Sequence, residues 1–296
     1  MAMSDIILTV TTSLFFLVIA LFVCNKDRLN FINISVIWIY HNLFSFLYYS
    51  YSLTNQADTS RYFNSSLKEY NSGNIVEFSL GSEMIHKIHY LLFYLDFNSI
   101  IPIYVFFGGF GFLGIVLIYK LLPKVESTIQ NLLMISFIFL PSLHYWSSSP
   151  GKDSLSLFCI ILWAYFLLTD KVNLSLIASG LLFMIRPHIA IIQIILYMYL
   201  KKEHIFNGKP YRLILLALPI IYILLEIVLS YTKFDINIFE YFEKIRYMSC
   251  PDCDQKGTNF LLLSSFMPIF DFQSVFHAVT SIENIWLVFI FYILFM

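Results

Sequence analysis

The sequence predicts an all-α protein, a polytopic bundle of about eight to nine transmembrane segments, and two observations carry that prediction. Hydrophobic residues make up 59% of the 296 residues and charged residues only 12%, whereas soluble domains average about 45–50% and about 25%. Several apolar stretches approach the roughly 20 residues that a helix needs to cross the hydrocarbon core. We therefore expect a single integral membrane domain over 1–296.

Six stretches with few or no charges are the candidate spans in chain order. They are 6–23, 31–51, 98–119, 128–146, 154–169 and 213–231. The last apolar run, 285–296, has only 12 residues. It is too short to span a membrane, so we expect a truncated C-terminal helix there.

Residues 172–200 carry a single charge, Arg186, which Pro187 follows. The apolar stretches 172–185 and 187–200 have 14 residues each. At about 1.5 Å per residue, each covers roughly 21 Å of a roughly 30 Å hydrocarbon core. The sequence therefore predicts a broken pair of short helices around Arg186, in preference to one long helix. Such breaks are tolerated where they pack within protein or line a wet cavity.

Basic residues set the predicted orientation, because short basic loops stay in the cytoplasm. Four short segments hold nine of the 18 lysines and arginines: 25–29, 120–127, 170–172 and 201–212. The N-terminus is then outside. Three extracytoplasmic loops hold 13 of the 19 acidic residues: 52–97, 147–153 and 232–284. Polar chemistry is therefore expected on the outer face.

The first outer loop supplies two candidate carboxylates. Asp58-x-x-Arg61-Tyr62 comes directly after the second span. A carboxylate at this boundary can orient a sugar hydroxyl or act as a base, although any loop that leaves a membrane also turns polar. Glu83 lies in a predicted amphipathic interfacial helix over 81–90.

The residue types at two further positions favour the binding of an anion. Lys152 and Asp153 begin a helix after the small and hydroxyl residues of 147–151, and free N–H groups at a helix start attract phosphate. The alternative is a capped helix with a snorkelling lysine. Arg186 can bind phosphate or carboxylate through two parallel hydrogen bonds. Its alternative role is a buried ion pair, for which Glu226 is a candidate partner.

Cys250 and Cys253 form one CxxC pair in the third outer loop, where a disulfide is plausible. A single CxxC is weak support for a redox or metal site, and no metal or cofactor is predicted. The net charge of −1 gives no indication of a nucleic-acid partner.

Together these residues resemble bacterial polysaccharide-assembly proteins, the Wzy-type O-antigen polymerases and the related EpsG-like exopolysaccharide proteins. The resemblance rests on Asp58-x-x-x-Tyr62, on Trp-Ser-Ser-Ser-Pro-Gly-Lys-Asp-Ser over 146–154, on Arg186-Pro187-His188 and on Glu283-Asn284. It covers most of the chain as patterns, not as a strict signature. Polymerases of this family have more spans than this chain offers.

The resemblance implies a GT-C-like fold in the bacterial inner membrane, with a periplasmic N-terminus. It implies polymerisation of undecaprenyl-diphosphate-linked oligosaccharides, with a chain-length regulator and a flippase as partners besides membrane lipid. Arg186 and Lys152 would hold the diphosphate, and Asp58 or Glu83 would orient or deprotonate the acceptor hydroxyl. Other expected substrate contacts are Arg61, Tyr62, His144, Asp153, His188 and Glu283.

Two alternatives remain open from the sequence. One is a GT-C glycosyltransferase that uses a polyprenyl-phosphate sugar. The other is a flippase or transporter of lipid-linked oligosaccharides, which would also place a charge at a broken helix but would favour an internal repeat.

The predicted topology is testable by cysteine labelling. Asn71→Cys and Gly257→Cys should react with an impermeant maleimide added outside intact cells, whereas Asn207→Cys should react only after permeabilisation. The reverse pattern would invert the topology and move the candidate residues to the cytoplasmic face.

Overall fold

A computed structural model of the chain describes residues 3–24, 28–54, 57–73, 80–121 and 135–200. All of them belong to the first of two compact units, Met1–Val228. The described residues form α-helices and contain no strand, which confirms the all-α class. The second unit, Leu229–Met296, lies outside the described residues. So do the predicted segments 213–231 and 285–296.

Nine helices are described. In chain order they are α1 (Met3–Val23), α2 (Arg28–Thr54), α3 (Asp58–Ser72), α4 (Ser82–Tyr94), α5 (Ile100–Leu121), α6 (Pro141–Ser147), α7 (Lys152–Leu168), α8 (Val172–Ile185) and α9 (Pro187–Leu200). In the described part, α1, α2 and α5 are long and apolar enough to cross a membrane. The pair α6 and α7, bent by 113°, is a fourth candidate. These helices are those of a membrane protein. The finer count of eight to nine spans stays a prediction.

Pro141 divides the predicted span 128–146. In the described part of that stretch, a helical turn over 135–138 ends before Leu140, and α6 starts at Pro141. Proline suits the first position of a helix because its missing N–H is not needed there. In a helix interior its ring would clash with the preceding turn. The expectation of one uninterrupted span was therefore wrong for this stretch.

The predicted outer loop 52–97 is largely helical in its described part. The helix expected over 81–90 is present as α4, but it packs inside the bundle with Ile85 and Phe93 fully buried. The sequence did not predict α3, which is mostly polar. It ends at Gly73, whose φ of 69° and backbone N–H bond to Tyr70 O make a typical glycine C-cap.

The break predicted around Arg186 is confirmed, since α8 ends at Ile185 and α9 begins at Pro187. The two helices pack against each other. Ser179 Oγ on α8 donates to Gln193 Oε1 on α9 over 3.2 Å. These two residues are equally distant from Arg186 along the chain, so α8 and α9 form an antiparallel hairpin with Arg186 at its tip.

α5 lies at the centre of the described helices, and α1, α2, α6 and α7 all pack on it. Its small residues permit this close packing. A Cβ at Gly109 would lie 2.2 Å from the Phe16 ring, and one at Gly111 would lie 2.0 Å from the Ser147 carbonyl oxygen. Gly111 therefore fixes the backbone at the end of α6.

Gly111→Ala should destabilise the protein by about 1–3 kcal/mol, because the clash is with backbone that cannot rotate away. The measurement is the midpoint of thermal unfolding in detergent. Gly180→Ala is the matched control, since a Cβ there meets no atom within 4 Å and alanine favours a helix. An equal midpoint for the two variants would contradict the close contact of α5 with α6.

Candidate functional site

A cavity of about 500 Å³ opens at the end of the helices where α2 ends, α7 begins and α8 meets α9. Its lining is charged, aromatic and hydroxyl-rich. The charged residues are Asp58, Lys152, Asp153 and Arg186. The aromatic residues are Tyr48, Tyr51, Tyr62 and Trp146. Ala57, Thr59, Ser149, Pro150 and Gly151 complete the lining.

Three parts of the chain that are distant in sequence bring these charges together. Asp58 is the first residue of α3, Lys152 and Asp153 are the first two of α7, and Arg186 joins α8 to α9. The convergence of Arg186, Lys152 and Asp58 on one cavity, expected from the sequence, is present in the structure. The roles assigned to these residues stay predictions.

Arg186 makes an ion pair with Asp153, in which guanidinium Nη2 donates to Oδ1. The two side chains are only 29% and 46% exposed. Arg186 Nε is buried and has no hydrogen-bond partner among the described residues. The ion pair considered for Arg186 therefore forms with Asp153, whereas Glu226 lies outside the described residues. The other N–H groups of the guanidinium can donate to another acceptor.

Asp58 also has a cationic partner. Its Oδ1 lies 3.0 Å from Arg61 Nη2, and both side chains are well exposed. Arg61 lies over the ring of Tyr62, 5.6 Å from its centroid, and does not itself line the cavity. An exposed pair of this kind contributes at most about 1 kcal/mol, so Asp58 can exchange Arg61 for another partner at small cost.

Lys152 is the cavity cation that no carboxylate of the described chain pairs with. Arg186 and Arg61 repel it electrostatically, while Asp58 and Asp153 attract it. Because each of those carboxylates already has an arginine, the Lys152 ammonium has no dedicated counter-ion. It also lies at the start of α7, where Gly151 provides no side-chain cap. The arrangement favours an anion at this end of the cavity.

Aromatic side chains form another part of the cavity lining. The Tyr48 ring packs edge-to-face on Trp146, with centroids 5.9 Å apart, and against Tyr145 at 4.8 Å. Such rings offer broad apolar faces beside hydroxyl groups. The sequence reasoning missed Tyr48 and Tyr51, which lie inside the second apolar stretch. The available signal was their place at a span end, where tyrosine and tryptophan commonly collect.

Four of the predicted site residues that the structure describes do not line the cavity. Glu83 is exposed near the start of α4, and Arg61 is described above. His188 is exposed on α9, close enough to interact electrostatically with Arg186 and Lys152. His144 is fully buried away from the cavity. Glu283 lies outside the described residues.

Two further histidines pack behind the cavity on α4. His86 Nδ1 lies 3.0 Å from Ser66 Oγ, and its ring meets Tyr62 edge-to-face. His89 Nδ1 donates to Ile85 O, and the ring stacks on Phe107. Burial lowers the pKa of His89 to about 4. His89 is therefore neutral at physiological pH and adds no charge to the site.

No known protein family, curated protein or solved structure matches this chain. The functional argument therefore depends on the chemistry of the cavity. That chemistry comprises one cation without a dedicated counter-ion, a half-engaged guanidinium, an exposed carboxylate and a wall of tyrosines. Such a set can bind an anionic group and position a hydroxyl compound beside it.

The Arg186–Asp153 pair is testable by a double-mutant cycle with alanine. The double variant should lose less stability than the sum of the single variants, with a coupling energy of roughly 0.5–3 kcal/mol. Thermal unfolding in detergent measures it. The exposed pair Asp58–Arg61 is the matched control, and its coupling should stay below about 1 kcal/mol. Additive losses at 153 and 186 would show that the pair contributes nothing.

Proposed function

We propose that the protein polymerises polyprenyl-diphosphate-linked oligosaccharides at the outer face of the bacterial inner membrane. The observation that carries the proposal is the cavity that holds Lys152, Arg186 and Asp58 at one end of a bundle of membrane helices. A lipid diphosphate has its charged group at this depth, where the apolar part of the membrane ends.

The diphosphate fits the cationic side of the cavity. Lys152 supplies a positive charge that no carboxylate of the described chain pairs with. Arg186 supplies guanidinium N–H groups beyond the one donated to Asp153. The first turn of α7 adds backbone N–H groups without a side-chain cap. Charge-assisted hydrogen bonds of this kind to phosphate are among the strong ones in proteins.

The sugar and the acceptor fit the aromatic part of the lining and Asp58. A pyranose can lie on the ring faces of Tyr48, Tyr51 and Trp146. The two tyrosines also offer hydroxyl groups. Asp58 would orient an acceptor hydroxyl and accept its proton as that oxygen bonds to the anomeric carbon. The bond from the anomeric carbon to the diphosphate breaks in the same transfer. Because diphosphate is a good leaving group, positioning and charge neutralisation supply most of the required help.

The charge distribution supports an outer location for the cavity. Lys171 directly precedes α8, at the end of α7 and α8 that is opposite to the cavity. Lys120 lies in the last turn of α5, where Nζ donates to Val23 O. The cavity therefore lies at the end of the helices away from the short basic segments, which favours the outer face. A flippase that delivers the substrate and a regulator of chain length are the expected partners.

A second function is favoured by one observation. The α8–α9 hairpin breaks between apolar stretches and carries a buried polar pair, Ser179 and Gln193. Discontinuous helices of this kind hold substrates in many transporters. A flippase for the same lipid-linked oligosaccharide would use the charged cavity for binding, without chemistry.

Surface polysaccharide on a gel tests the proposal in the native host. Lys152→Ala, Arg186→Ala and Asp58→Ala should each reduce polymer to single repeat units at unchanged membrane levels. Losing one charge-assisted contact costs about 1.5–3 kcal/mol, or roughly 10- to 150-fold in binding. Arg186→Lys should also be poor, because an ammonium cannot replace the planar fork.

Lys171→Ala is the matched control, since this exposed lysine lies at the far end of α7 and α8. It should leave polymer length unchanged. Wild-type polymer in all three cavity variants, at matched expression, would refute the proposed site. Loss of every glycan band, including the single repeat, would favour the flippase.

A further inference from the structure

Two histidines meet inside the bundle, away from the cavity. His41 on α2 and His144 on α6 are 2% and 0% exposed. Their Nδ1 atoms are 3.1 Å apart. His41 Nε2 lies 2.9 Å from the carbonyl oxygen of Gly108 on α5, and His144 Nε2 lies 2.6 Å from the carbonyl oxygen of Ile138. All four ring nitrogens are therefore in hydrogen-bond contact.

The hydrogens needed for these contacts exceed those of two neutral rings. A carbonyl oxygen only accepts, so both Nε2 atoms must carry a hydrogen. The contact between the two Nδ1 atoms requires a hydrogen on one of them. Three N–H groups are needed, whereas two neutral imidazoles have one each. Without a further proton, two lone pairs would face each other in one of the three contacts.

We propose that His41 and His144 form a proton-binding site that holds one proton beyond the two neutral rings. Binding adds H⁺ to one Nδ1, which then donates to the other Nδ1, and no bond between heavy atoms changes. Three hydrogen bonds to the paired rings favour the charge, whereas burial without a counter-ion opposes it. An ionisable group at this depth is by default a functional site.

The side chains around the histidine pair include aromatic and uncharged polar groups. The titratable side chain that packs on it is Tyr40 of α2, whose ring meets His144 edge-to-face at 4.7 Å. On α5, Phe112 lies near His41. Among the described residues, no carboxylate, lysine or arginine acts on either ring. An opening of about 10 Å³, lined in part by Ser13, Asn42 and Ser45, reaches His41, and its size is near that of one water.

The bound proton fastens α6 to α2. Hydrogen bonds from α2 also hold the backbone on either side of α6, from Tyr40 Oη to Phe139 O at 3.2 Å and from Ser45 Oγ to Ser148 O at 3.5 Å. The chain then continues into Trp146 and Ser149 in the wall of the cavity. The proton therefore helps to position that wall, whatever substrate the cavity binds.

Nitrogen-15 NMR of histidine-labelled protein in lipid nanodiscs tests the proposal. At pH 8 ordinary histidines are neutral, since their pKa is about 6.5. We expect one imidazolium signal among the seven histidines, with a coupling across an N–H···N hydrogen bond. Seven neutral rings in the wild-type protein at pH 8 would overturn the proposal, and this result needs no variant to fold.

Variants assign the signal. His41→Gln and His144→Gln should each abolish the imidazolium signal at pH 8. His188→Gln is the matched control, because His188 is exposed on α9, and it should leave the signal intact. An imidazolium signal that survives in both pair variants would belong to another histidine and would equally overturn the assignment.

Discussion

In hydrocarbon, a helix can stop only where its freed backbone groups and any charge find partners within the protein. The α8–α9 break meets that constraint at Arg186. Its amide donates to Leu182 O, its carbonyl oxygen accepts from the amide of Ile189, and its guanidinium pairs with Asp153. The charged tip of the hairpin is thus tied to the start of α7. The cavity exists because these two helix ends are held together.

The same principle governs the rest of the polar interior. Some buried hydroxyl groups donate to a carbonyl of their own helix, as Ser175 Oγ does to Val172 O. Other polar groups cross between helices and join them. Examples are the Arg186–Asp153 pair, the Ser179–Gln193 pair and the His41–His144 pair. Lipid-facing surfaces of α1 and α2 carry exposed apolar side chains instead.

The sequence was sufficient for features that depend on local composition. The all-α class, the helix over 81–90 and the break at Arg186 follow from apolar length, periodicity and one proline. It was insufficient where long-range packing decides. The spacing of apolar residues does not predict that Asp153 pairs with Arg186, or that Tyr48 lines a cavity. α3 was not predicted because its polar composition is typical of a loop. It is stabilised by packing against α4, which the local sequence does not reveal.

Gly111 packs closely against the Ser147 carbonyl. The backbone of the cavity wall is therefore more constrained than the side chains that it carries. The turn after α6 is held through backbone, so it keeps its path when its side chains are replaced. Trp146 reaches the cavity from α6, and Tyr51 reaches it from α2. On the proposed function, exchanging wall side chains would change which sugars fit, while the residues proposed to bind the anion stay in place. Substrate range could then diversify without a new fold.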